Sequence, residues 1–268
     1  MQKNPVLAVP TMLLAAAVTV GWGMTIVLAV SGTLPYWAAI LLATPLAYVA
    51  FTPMHDATHG SVARAKWINA VVGRLCGLVL VAPYSAFRWA HLTHHKHTNH
   101  AENDPDMWSA TGPMWSHPLR WVTQDLGYYV HYVRGWKSRP VQERVETVAT
   151  FLVIWSVVAA AFWAGYGLEV TLLWLLPARL AVGILAFLFD YVPHYPHHVT
   201  AREDRFAATR NLGGDGFNAF FLYQNWHLSH HLTPGVPFYR YASTWRARFG
   251  DDPAPSRRPA PNVATETA

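Results

Sequence analysis

The sequence predicts an all-α integral membrane protein. It would have four transmembrane helices in two hairpins, an interfacial or re-entrant segment between them, and a cytoplasmic helical cap carrying clustered histidines. Three observations predict this. Hydrophobic residues make up 52% of the 268 and charged residues 13%, against about 25% charged in an average soluble domain. Four apolar stretches approach or exceed the ~20 residues that a membrane-crossing helix needs. Thirteen of the 15 histidines fall in four tight clusters, 55–59, 91–100, 194–198 and 227–231. The 13 tryptophans suit membrane–water boundaries, where an indole has one apolar and one wet side.

The first apolar stretch, about 6–30, follows Lys3 and is longer than the roughly 7–15 residues of a signal-peptide core, so it is expected to stay as a membrane helix. Ser31-Gly32-Thr33 turns it into a second span, about 34–53. A second pair, about 147–166 and 168–190, turns near Gly165–Gly167. Of 20 Lys and Arg residues, 19 lie at the outer ends of these hairpins: Lys3, the 54–146 region and everything after about 191. The positive-inside rule makes that side, with both termini, cytoplasmic, in the inner or plasma membrane if the protein is bacterial. The exception, Arg179, lies within the fourth stretch, and reads as a charge that snorkels or faces a polar cavity. The stretch 67–86 holds Arg74, several glycines and Pro83. One crossing there would put the first two histidine clusters on opposite sides of the membrane, so it is expected to lie in the interface or to dip in and return. Residues 1–250 form the expected membrane domain, and 251–268, rich in Pro and Ala, the expected disordered tail.

Residues i, i+3 and i+4 share a helix face, and imidazole is the commonest protein metal ligand. His55 and His59 are spaced i, i+4; His91, His94 and His95 form H-x-x-H-H, as do His227, His230 and His231. These eight donors exceed what one four- to six-coordinate ion takes, so two metals are expected. His194, directly after the fourth span, is the expected ninth ligand. His197 and His198 follow in a proline-interrupted string and read as ligands or as their supports. His97 and His100 rotate off the face of His91, and His117 and His131 lie outside the clusters. Asp56, Asp104, Asp106 and Asp190 are candidates to hold the outer N–H of a ligating imidazole, and Asn225 to orient a ligand or a metal-bound water. Helix caps and turns account for these five residues equally well.

The single cysteine, Cys76, excludes an intrachain disulfide and an iron–sulfur cluster. The sequence holds no G-x-S-x-G elbow and no G-x-G-x-x-G loop. Nitrogen ligands suit zinc, copper, iron and nickel alike. A site against a bilayer points to a lipid substrate. Two irons can activate dioxygen against a C–H bond, whereas zinc is redox-inert.

The order H-x-x-x-H, H-x-x-H-H, a further histidine, then H-x-x-H-H resembles the membrane fatty acid desaturase superfamily of di-iron enzymes. HDATHG (55–60) is close to its first box. DPD (104–106), PHYPHH (193–198) and NWHLSHHLTPGVPFYRY (225–241) are most similar to the β-carotene hydroxylase/ketolase branch. The resemblance covers about 35–248. It implies that the nine histidines named above bind two iron ions, with zinc as a possible occupant, and that dioxygen is co-substrate. Hydrogen would be removed from a lipid methylene, oxygen insertion giving an alcohol and loss of a second hydrogen a double bond. A carotenoid is the favoured substrate; a fatty acyl chain, desaturated or hydroxylated, is the alternative. The short chain without a fused cytochrome leans toward the carotenoid branch, whereas the HYPHH cluster is also similar to fatty-acid hydroxylases. No flavin, haem or iron–sulfur motif is present, so an external ferredoxin or cytochrome with its reductase would supply electrons. Arg202, Arg205, Arg210 and Arg246 could dock it, although positive-inside topology alone explains them equally. No nucleic-acid partner is expected. A metal transporter would hold its ligands near mid-bilayer rather than at one boundary; a zinc lipid hydrolase is the remaining alternative.

Overall fold

The chain is described here by a computed structural model covering residues 5–253. Its regular elements are all helical among the described residues, and four helices are long and apolar enough to cross a membrane. These are α1 (Val9–Val30), α2 (Tyr36–Thr58), α7 (Val141–Trp163) and α8 (Gly167–Tyr191). Between α2 and α7 lie α3 (Lys66–Val79), α4 (Tyr84–His97), α5 (His117–Val122) and α6 (Gln124–Arg134); α9 (His227–Leu232) and α10 (Tyr241–Phe249) complete the cap.

α1 and α2 pack closely because α2 turns a stripe of alanines inward. Ala39, Ala43, Ala47 and Ala50, at spacings of three and four residues, are fully buried. Small side chains let helix backbones approach where lipid offers no hydrophobic drive. α7 packs Ile154 and Val158 on Trp174 of α8 and leaves Leu152, Trp155 and Phe162 exposed, as a lipid-facing helix does. It begins at Val141, six residues before the expected limit, and that first turn carries Glu143, which pairs with Arg139.

The stretch expected not to cross is two helices. α3 and α4 meet at 102°. α3 buries Asn69, Val72, Cys76 and Val79 and exposes Trp67, Val71, Leu75 and Leu78, two stripes at helical period. The corner, residues 80–83, contains Val81 in the left-handed region (φ 57°) and Pro83, which caps α4. Two glycines permit it. A Cβ on Gly73 would lie 2.2 Å from the Tyr84 ring, and one on Gly77 2.7 Å from the Ala82 carbonyl oxygen. α4 thereby returns to the end of α2 from which α3 departs, with His91 Nε2 2.9 Å from His59 Nε2.

Residues 192–253 fold over that end. Asn99, just beyond α4, donates to the Val199 and Ala208 carbonyls, at 2.7 Å each. Within the expected tail, Asp252 and Pro253 still accept hydrogen bonds, from Trp245 and Asn211. Positions 254–268 lie outside the described residues. Replacing Gly73 by Ala is expected to lower the thermal unfolding midpoint in detergent, by overpacking worth about 1–3 kcal/mol. An unchanged midpoint would mean that Tyr84 is free to swing away.

Candidate metal centre

The four histidine segments converge at one end of the helices. α2 and the turn after it supply His55 and His59, and the last turns of α4 supply His91, His94 and His95. The chain after α8 supplies His194, and α9 supplies His227, His230 and His231. The nine side chains sort into two groups. His55, His59, His91, His95 and His230 form one; His94, His194, His227 and His231 form the other. Within each group the donor nitrogens lie within 4.8 Å of one another. The groups adjoin: His95 of the first stacks on His231 of the second, ring centroids 4.3 Å apart.

Nε2 contacts in the first group run His55–His230 3.0 Å, His230–His95 2.8 Å, His95–His91 3.1 Å and His91–His59 2.9 Å. In the second they run His194–His227 3.0 Å, His227–His231 3.1 Å and His231–His94 3.3 Å. A ring nitrogen either donates one proton or accepts one, never both, so no more than two of the first group's four contacts can be hydrogen bonds. A shared cation accounts for all of them. Donors about 2.1 Å from one ion and at right angles stand about 3.0 Å apart.

Burial, reinforced by neighbouring imidazoles, pushes His59, His91, His95, His194, His230 and His231 well below the ordinary imidazole range, and His227 down to about 3. Neutral imidazoles offer the lone pairs a metal needs. His94 differs. Burial lowers it, but the Asp104 and Asp106 carboxylates outweigh burial and hold it at about 9. Its Nδ1 lies 2.9 Å from Asp104 Oδ1 and 3.2 Å from Asp106 Oδ2, leaving Nε2 toward the second group. This is the carboxylate–histidine arrangement that fixes a ligand's tautomer. His194 makes the corresponding contact to the Ala208 carbonyl, 3.1 Å from Nδ1.

Several sequence-level candidates sit elsewhere. Asp56 accepts from Thr11 (2.8 Å) and from the Phe238 amide (3.1 Å), so it ties α1 and the cap to α2 instead of holding an imidazole. Asn225 donates to the Gly214 carbonyl and to Asn218, shaping a loop. His197, in the left-handed region (φ 65°), packs on Tyr191 outside both groups, and His198 is exposed. Asp190 belongs to neither group; its partner is the Tyr128 hydroxyl, 3.4 Å away. His97 and His100 face each other away from the groups. Arg246 pairs with Asp215 and stacks on Trp226, an intramolecular role.

The sequence reading missed an apolar cavity beside the first group. It is lined by α2, the α3–α4 corner, α4, α6 and α8, among them Phe51, Met54, Phe87, Tyr128 and Leu185. Phe51 stacks on His55 (5.3 Å, 26°) and Phe87 on His91 (5.7 Å, 12°). The signal was available: each phenylalanine precedes the first histidine of its box by four residues, one helical turn.

Residues 31–258 match the family described as fatty acid desaturase. The chain is 30% identical over 203 residues to a β-carotene ketolase of one Paracoccus strain, covering 72% of each chain. It is 28% identical over 245 residues to that of another strain, covering 86% of this chain and 90% of the relative. A chloroplastic sn-2 acyl-lipid omega-3 desaturase (ferredoxin) of Helianthus annuus is 26% identical over 246 residues, 76% of this chain and 52% of the relative.

Asp104→Asn is expected to weaken metal affinity about 10–100-fold, measured by competition with a chelator; unchanged affinity would separate Asp104 from metal binding. Asp56→Ala is expected to do the reverse. It should cost about 1.5–3 kcal/mol of stability through lost buried hydrogen bonds, read as a lower unfolding midpoint with metal content per folded chain retained.

Proposed function

The chain belongs to the fatty acid desaturase family of integral membrane oxidoreductases, and from that premise we propose that it is a dioxygen-dependent di-iron enzyme oxidising C–H bonds of a carotenoid, as a ketolase or hydroxylase. The observation that carries this reading is the apolar cavity whose phenylalanines stack on His55 and His91. A hydrocarbon lying there would rest against the Phe51 and Phe87 rings, one ring away from the first histidine group. His55, His59, His91, His95 and His230 would hold one iron, and His94, His194, His227 and His231 the other. Bound iron would supply the redox chemistry that dioxygen activation needs.

The chain's own residues do the remaining work. Phe51 and Phe87 fix the ring planes of His55 and His91 and keep water from that side of the site. Asp104 and Asp106 hold the proton on His94 Nδ1. Hydroxylation, ketolation and desaturation would differ in which carbon the cavity walls hold nearest the site. Electrons would come from a separate ferredoxin or cytochrome, since the sequence carries no motif for a second redox cofactor. The basic residues flanking the spans favour a cytoplasmic centre and cytoplasmic termini.

Expression in cells that make β-carotene, with pigments and fatty acids both analysed, tests the substrate. Oxygenated carotenoid is expected. Unchanged pigment with newly unsaturated or hydroxylated acyl chains would transfer the assignment to the acyl-lipid reading, which similarity to the acyl-lipid desaturases favours. The purified protein should bind about two irons, as a dinuclear site requires, and His94→Ala should abolish product while leaving membrane insertion intact. Stoichiometric zinc with oxygen-independent turnover would overturn the assignment.

A further inference from the structure

Arg179 lies inside α8, where an unpaired charge would be costly. Its guanidinium forks onto Asp125 of α6, 2.5 and 3.0 Å from the two carboxylate oxygens, and also donates to the Val122 carbonyl at 2.7 Å. Asp125 lines the apolar cavity. So do Gln124, Tyr128 and Tyr129 from α6 and Val182, Leu185 and Ala186 from α8: the two helices form one wall, and the ion pair closes the seam between them.

Three further observations give the seam a direction. Asp125, Tyr129 and Val182 line the cavity yet are partly exposed, so the cavity meets its surroundings along this line. Beside it the outer surface is apolar on both helices, with Leu126 and Val130 of α6 and Leu180 and Ile184 of α8 each at least 40% exposed. Trp115 and Leu119, just before α6, extend that surface at 81% and 65% exposure. Such a surface around an intramembrane ion pair faces lipid. Finally, the seam is closed by contact rather than by covalent continuity. At the end of the seam, Gly183 lets Val122, the last residue of α5 and two residues before α6, lie directly against α8, where a Cβ on the glycine would come within 2.7 Å of Val122 Cγ1.

We propose that the α6–α8 seam is the door through which a bilayer-dissolved substrate reaches the cavity, and that the Arg179–Asp125 pair is its latch. The inference rests on the function proposed above and narrows the substrate to molecules that enter sideways from the hydrocarbon layer. A water-soluble carrier-bound chain arriving from the histidine end would not use it.

A disulfide staple tests the door. An ideal Cβ on Gly183 lies 3.6 Å from Val122 Cβ, within the ~3.5–4.5 Å of a disulfide. In Val122→Cys/Gly183→Cys, oxidation should cut product formation from bilayer-dissolved β-carotene at least about tenfold, as closing a gate does. Reduction should restore it, with metal content constant throughout. Equal turnover of the oxidised and reduced forms would overturn the proposal. A second measurement needs no turnover. Ala186→Cys puts a thiol in the cavity wall, and bilayer-partitioned N-ethylmaleimide should label it about tenfold faster when Arg179→Met removes the latch, beyond the background at Cys76. Unchanged labelling would also overturn the proposal. Should the wild type oxidise neither carotenoid nor acyl chains, the proposed function fails while labelling still decides the seam.

Discussion

Nine imidazoles buried at the end of a helix bundle can coexist only if nearly all are uncharged, any charge is met by carboxylates, and they share something other than protons. Burial and mutual repulsion hold most of them neutral, and the Nε2 contacts of 2.8–3.3 Å outnumber what their protons can satisfy. The rest of the structure answers to that constraint. Histidines from segments as distant as 55 and 231 must reach one place, so every connection between them has to begin and end on the same side. The 102° corner between α3 and α4 is the price of that requirement, and Gly73 and Gly77 are what make it sterically possible.

Around the centre, acidic residues divide their labour by position. Asp104 and Asp106 sit in the turn after α4 and meet His94 from outside the group, so their charge is spent on one imidazole. Asp56, adjacent in sequence to His55, points the other way, because neighbours one residue apart on a helix face different directions. It fastens α1 and the cap to the helix that carries the first two histidines. Phe51 and Phe87 join the histidine groups to the cavity, since the same rings are wall on one side and support on the other.

Much of this was legible in the residues. Apolar length marked the four spanning helices, and i, i+3, i+4 spacing marked the eight box histidines, because both are properties of a single helix. The demand for a common side ruled out a simple crossing at 67–86, although not that the stretch would be two helices. Reading failed where a short polar residue had several partners to choose from. Asn225, two residues before His227, turns to Gly214 and Asn218, and the cluster at 194–198 contributes His194 but not His197 or His198. The proline-interrupted backbone there has no periodicity to say which way a ring points, and His197 is turned aside at positive φ.

The sequence by itself determined the helical class, the spans and eight of the nine converging histidines, because helical periodicity is written locally, and its place directly after the fourth span pointed to His194. Only the tertiary structure decided how the nine divide into five and four, with His94 leaving its own box to join His194, His227 and His231. Only it decided that Arg179 answers to Asp125 and that an apolar cavity lies between α6, α8 and the first histidine group. Those outcomes depend on the angles at which helices cross and the side chains that meet between them, and no spacing within one helix carries that information.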